Sequence, residues 1–218
     1  MIWEEDTLRN YSRDMRHGEQ FVLWLTIGLF FVLWTLRVLF LPAPETENFF
    51  SFANNTSLRI LIFLCPFVFL TVFVCKEALQ DAFAIHQGTR TGWILAISYS
   101  LSLVLWEALH HVISFPHDAW ALVNFPFAPI IEELVFRGYM FTHLLKFTGK
   151  LETILITSVL FTLIHFPGWI FLSGLQGEPF LTRAGGIFIF SLVQGVIRLY
   201  AKSVLPNIAV HLVNNAVS

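Results

Sequence analysis

Charge is what this chain lacks most. Asp, Glu, Lys and Arg make up 13% of its 218 residues, where a soluble domain carries about 25%. Hydrophobic residues reach 56%, with 24 Phe and 7 Trp, and no globular core of this length hides that much apolar surface. A water-soluble fold is therefore excluded. Cysteine is nearly absent too. Cys65 and Cys75 fall within one apolar segment, which rules out a disulfide framework and leaves the expectation of buried thiols. There is no basic stripe beside the net charge of −2, so nothing points to nucleic acid. The alternating segments of about ten residues that mark a transmembrane barrel are missing, as are repeats and low-complexity tracts. The fold class that remains is all-α: a polytopic transmembrane helical bundle in a single domain, 1–218, with the lipid bilayer as its surroundings.

About 20 apolar residues cross a bilayer. Candidate spans are 20–41, 57–75, 92–114, 128–146, 152–168, 184–201 and 204–218, seven in all. Residues 1–19 are polar and are expected to form a short surface helix, with no cleavable signal peptide ahead of the first span. Pro42, Pro44, Asn54 and Asn55 mark a polar loop; Pro126 and Pro129 break the chain again, with 119–125 a short separate piece and a new helix starting near Pro129. Arg37 is expected to snorkel at the end of its span. Counted by position, nine Lys and Arg residues (Arg9, Arg13, Arg16, Lys76, Arg90, Lys146, Lys150, Arg198 and Lys202) lie at one side, against Arg59 and Arg183 at the other. That bias places the N-terminus in the cytoplasm. From Pro206 onward only 13 residues remain, about 20 Å of helix, so the last segment is expected to end within the membrane.

Against this apolar background six polar residues stand out: Glu132, Glu133, Arg137, His165, His211 and Asn215. An ionisable group inside a membrane is functional or tightly paired. Helical rise puts Glu132 about 21 Å from the Lys146 end of its span, and His165 and Asn215 about 20 Å from the same side, with His211 at about 13 Å. Independent structural residues need not reach similar depth. Glu133 and Arg137 are i,i+4 neighbours that can pair, while Glu132 is rotated by about 100° and faces the expected cavity. His211 and Asn215 share a face, and Phe161, one turn before His165, walls the pocket. A carboxylate can activate water, an imidazole can orient it, and a carboxamide can stabilise an oxyanion. That combination is hydrolysis without a covalent nucleophile, and no G-x-S-x-G elbow offers one; Ser158 reads as packing.

Glu132-Glu133-x-x-x-Arg137, Phe161-x-x-x-His165 and His211-x-x-x-Asn215 resemble, in order and spacing, the three motifs of the CAAX protease and bacteriocin-processing family of intramembrane proteases, which includes the type II CAAX prenyl endopeptidases and the abortive-infection proteins. The resemblance covers about 119–218. It implies an intramembrane endopeptidase acting on a peptide or membrane-anchored protein in the plasma membrane of a bacterium or archaeon. Glu132 would be the base that activates water, assisted by His165; His211 and Asn215 would hold the oxyanion; Glu133, Arg137 and Phe161 would support them. The family's cavity opens toward the cytosolic leaflet, and its members typically carry eight spans against the seven counted here. Two imidazoles and a glutamate (Glu132, His165, His211) are also the donors of a catalytic zinc site. H-E-x-x-H on one helix is absent, so a metal-free glutamic protease without cofactor is favoured.

Two other classes of function compete. A non-proteolytic bacteriocin-immunity or scaffold protein would use the same polar residues as interhelical glue. A proton-coupled transporter would show internal repeats with broken helices at matching positions, and none is visible. Glu107, His110 and His111 read as an interfacial cluster, Gln194 as a helix bridge or cavity residue, and the Phe and Trp content as lipid-facing bulk.

Overall fold

The computed structural model describes residues 2–41, 56–110 and 126–217; the loop around Pro42 to Asn55, the piece at 119–125 and His111 lie outside them. All regular structure among the described residues is helical. We number it α1 (Ile2–Phe40), α2 (Thr56–Cys75), α3 (Leu79–Ala82), α4 (Arg90–His110), α5 (127–144), α6 (Lys150–Leu172), α7 (Gly177–Ala201) and α8 (Leu205–Val217). Five of these, the apolar part of α1 with α2, α4, α6 and α7, are long and apolar enough to span a membrane. α5 carries Glu132, Glu133 and Arg137, and α8 has only 13 residues, so both fall short for the reasons that make them interesting. The molecule is an integral membrane protein.

Several local expectations are corrected. Residues 1–19 do not form a separate surface helix, because α1 runs without a break from Ile2 to Phe40. The helix start expected near Pro129 does hold, with α5 beginning at Phe127. Arg37 does not snorkel: it is 5% exposed and lies over the Trp34 ring at 5.2 Å. Cys65 is exposed on the outside of α2 and Cys75 is half-buried, so neither is a buried thiol. Nor is the aromatic content all lipid-facing. Phe30, Phe63, Phe67 and Phe136 are buried and meet edge to face around Phe30 at 4.9–6.1 Å, the geometry that the ring quadrupole favours. They lock α1, α2 and α5 together. Other aromatic residues do face outward, among them Phe21 on α1, Phe73 on α2 and Phe171 on α6, and α4 exposes Leu101, Leu105, Trp106 and Leu109.

Proline alters the hydrogen bonding of two helices in a way that matters below. Pro66 has no N–H and its ring crowds the carbonyl four residues back. α2 responds with a wider π turn over Ile60–Leu64, where the Cys65 N–H reaches the Ile60 carbonyl. Pro167 does the same in α6, followed by a π turn over Gly168–Leu172. Two further π stretches are Leu70–Cys75 at the end of α2 and Leu134–Met140, which follows Glu133 directly in α5; such turns often mark functional segments.

One end of the bundle is tied together by its turns. Thr89 N–H donates to Ala201 O and Val204 N–H to Ala84 O, both at 3.0 Å, and Glu77 accepts from Lys146 Nζ and lies 3.2 Å from His143 Nε2. Burial pulls the Glu77 carboxyl upward. The Lys146 hydrogen bond and the charges of His143 and Lys146 outweigh it and hold Glu77 below the ordinary carboxylate range. At the same end α4 meets α7 so closely that a methyl on Gly92 would sit 2.3 Å from Ala201 Cα. Only glycine allows that approach. Lys76, Arg90, Lys146, Lys150, Arg198 and Lys202 all belong to this end, which we call the basic end.

Candidate active site

The two adjacent glutamates point to different surroundings, as their rotation about the helix requires. Glu132 lines a cavity of about 320 Å³ together with His165, Trp34, Arg59, Trp169 and Arg183. Its Oε1 lies 3.9 Å from Arg59 Nη1, with the two side chains 16% and 30% exposed. Glu133 faces inward and is fully buried. Its Oε1 accepts from His211 Nδ1–H at 2.8 Å and lies 3.4 Å from Arg137 Nη1. Arg137 Nη2 donates to Ser191 Oγ at 2.7 Å, and its guanidinium sits 4.0 Å from the Phe161 ring centre. One buried ion pair thus joins α5 to α6, α7 and α8.

The orientation of His165 follows from the proline two residues later. Near the end of its regular part, α6 tightens, so that His165 N–H bonds Thr162 O rather than the carbonyl four residues back. The Phe161 carbonyl is left for the side chain, and His165 Nδ1–H donates to it at 2.8 Å. That bond sets the tautomer and leaves Nε2 with a lone pair in a residue that lines the cavity. Across the cavity wall, Trp34 Nε1–H donates to Ile164 O at 2.8 Å and pins α1 against this turn.

His211 and Asn215 do not line the cavity that Glu132 and His165 share. The histidines are nonetheless neighbours: Phe161 packs its ring 5.1 Å from His165 and 5.8 Å from His211, and His165 is within electrostatic reach of Glu132, His211 and Arg137. His211 is held by Glu133 at Nδ1, which leaves Nε2 for other chemistry. Asn215, one turn on and half-buried, accepts from Asn214 Nδ2 at 3.4 Å. α8 is positioned by a reciprocal amide pair. Asn207 Nδ2 donates to Gln194 Oε1 and O, and Gln194 Nε2 to Asn207 O, at 2.7–3.2 Å. Gln194 is therefore a helix bridge. His110 is exposed and stacked on Trp106; Ser158 is buried. Among the described residues no three His, Cys, Asp or Glu side chains converge so as to hold one metal ion.

Sequence reasoning missed Trp34, Arg59, Asn207 and Ser191. Arg59 had a usable signal, since helical rise puts it at the same bundle end as Glu132. Ser191 and Asn207 had none, as one buried serine or asparagine resembles any other. The cavity lies at the end opposite the basic one, beside Arg59 and Arg183. The charge count and the resemblance consequently disagree about which leaflet it opens to.

Residues 115–217 match the family described as Type II CAAX prenyl endopeptidase Rce1-like, a family of proteases. No curated protein and no solved structure matches the chain. The matched stretch holds Glu132 and His165 in their shared cavity and the Glu133–Arg137–His211 cluster behind it, and the match supports the resemblance of this C-terminal part of the chain to the CAAX protease family.

Proposed function

We propose that the protein is an intramembrane endopeptidase in which Glu132 activates water for attack on a peptide bond. The observation that carries this reading is the pairing of Glu132 with His165 in one cavity, with the His165 ring fixed by the Phe161 carbonyl. Water held there gives one proton to Glu132 and donates its second hydrogen to His165 Nε2. The oxygen adds to the peptide carbonyl, and a substrate extending past Phe161 brings the resulting oxyanion to Asn215 and His211, which do not line the cavity before substrate enters; His211 Nε2 donates only when its ring carries both protons. The carbon–nitrogen bond then breaks as Glu132 returns its proton to the leaving amine. Glu133 and Arg137 hold His211 in place, and Phe161 separates the two imidazoles. No step requires a metal, and no zinc or other cofactor is part of the proposal.

The test is purified protein in nanodiscs with a panel of fluorogenic peptides, prenylated CAAX sequences beside unprenylated ones, with and without a zinc chelator. We expect at least one peptide to be cut at a rate the chelator does not change. A panel left intact would overturn the endopeptidase. A rate abolished by chelator and restored by zinc would replace the water-activating glutamate with a site of Glu132, His165 and His211.

We also propose that the basic end is cytoplasmic, as the positive-inside rule requires, so that the cavity opens on the other face. With Cys65 and Cys75 replaced by serine, Arg183→Cys should react with a membrane-impermeant maleimide added outside intact cells. Labelling only after permeabilisation would reverse the orientation and put the cavity on the cytosolic side.

A further inference from the structure

The basic end contains a second cavity, of about 670 Å³, lined by neither Glu132 nor Glu133. It is bounded by the α3 segment, the corner between α5 and α6, and the last turn of α7. Lys150, Arg198 and Lys202 line it, with His86 and Asp81. Asp81 is exposed and lies 3.5 Å from His86, so three permanent cations face one carboxylate that already has a neighbour.

Arg198 is the unusual member. It is 7% exposed, and Nε donates to Arg137 O at 2.7 Å and Nη2 to Thr142 Oγ1 at 2.9 Å. Both partners are neutral oxygens. Among the described residues no carboxylate lies within 4 Å of it, and its guanidinium stands over the Phe141 ring at 5.2 Å instead. A buried cation without a counterion is costly unless something supplies the negative charge. The other buried arginine described in α5–α8, Arg137, has that charge supplied from within by Glu133. For Arg198 the cavity is where an anion can enter.

The walls narrow the choice of anion. Leu145, Leu199 and Tyr200 form an apolar side, and Leu145 and Tyr200 are exposed on the bundle's outer surface. A cationic mouth at a membrane-water boundary above an apolar wall suits an amphiphile with a phosphate head. Basic pockets between transmembrane helices recognise lipid headgroups in this way, and planar guanidinium with flanking ammonium groups matches phosphate oxygens. We infer that this cavity binds a phosphate monoester or diester headgroup, with Lys150 and Lys202 gripping it at the mouth and Arg198 beneath. The apolar wall favours an anionic phospholipid as its source over a soluble phosphate. Arg198 bonds the backbone of Arg137, the residue that pairs with Glu133, so the site adjoins the ion pair beside His211.

Binding is read by thermal denaturation of the full chain in neutral detergent with phosphatidylglycerol, phosphatidylcholine or inorganic phosphate. Phosphatidylglycerol should raise Tm by roughly 5 °C at saturation, and phosphatidylcholine should not. Lys150 and Lys202 are exposed, so the double variant Lys150→Gln/Lys202→Gln should fold with the parent Tm and lose most of the rise. Lys76→Gln/Arg90→Gln, which removes two exposed charges at the same end outside the cavity, should keep it. A comparable rise with inorganic phosphate alone, lost in the first variant, supports the phosphate site and assigns it a soluble ligand. Equal rises with both lipids, no rise with any phosphate, or the same response in both double variants would overturn the inference. None of these readouts depends on proteolysis, so failure here leaves the catalytic proposal standing, and the reverse.

Discussion

Glu132→Gln should lower peptide hydrolysis about 1,000-fold, within the range of general-base catalysis, and leave the Tm nearly where it was. The amide keeps the shape of the carboxylate but cannot take a proton from water. Stability should hardly respond, because Glu132 has a long contact to Arg59, 3.9 Å at the cavity rim, with Arg59 itself 30% exposed. Partly exposed pairs of that kind contribute about 0–1 kcal/mol. A variant that folds and still cuts within tenfold of the parent ends the proposal that Glu132 is the base. The same experiment separates the enzyme from a scaffold or immunity protein, which would lose stability and keep its partner.

Glu133→Gln, one residue along, should do the opposite in order of severity. It removes the charge that holds Arg137 and His211 from a site with no exposure, leaving Arg137 as an uncompensated buried cation. Breaking such a pair costs about 3–5 kcal/mol, or roughly 10 °C in Tm for a chain of this length. Activity should fall as well, since His211 loses the acceptor at Nδ1. Thermal denaturation in detergent decides it. A Glu133→Gln protein as stable as the parent would show that the ion pair does not tie α5 to α7 and α8. Together the two variants form a sharp contrast: neighbouring glutamates, isosteric substitutions, one loss in rate and the other in stability.

That contrast was half readable from the residues. Glu133 and Arg137 stand four apart and can pair, and the turn of about 100° between Glu132 and Glu133 aims the two carboxylates in different directions. Their pairing at 3.4 Å and the cavity at Glu132 agree with this. The link from Glu133 to His211 was not readable, because it crosses 78 residues and depends on how α8 is rotated against α5. The fixed tautomer of His165 lies between these cases. Pro167 announces a disturbed helix, but the freed Phe161 carbonyl that takes the ring N–H is a detail of the turn.

Other misreadings share a cause. Arg37 and Cys65 were assigned by position along a span, at its end or in its middle. Exposure depends instead on azimuth, and α1 turns Arg37 inward over Trp34 while α2 turns Cys65 outward. The aromatic residues follow the same rule, with Phe30, Phe63, Phe67 and Phe136 interlocked inside and the bulk of α4 left to the lipid.

What the residues settled unaided is the material of the molecule: a helical membrane chain, because so little charge and so much apolar surface admit nothing else; the three polar motifs were legible as motifs, with similar depth an expectation from helical rise. What only the tertiary arrangement decided is partnership. It placed Glu132 beside His165 and Arg59, Glu133 beside His211, Arg137 against Ser191, and three cations around a second cavity at the basic end. A periodic pattern gives the angles between side chains on one helix. The angle of that helix against its neighbours comes from packing among distant segments, and no local pattern contains it.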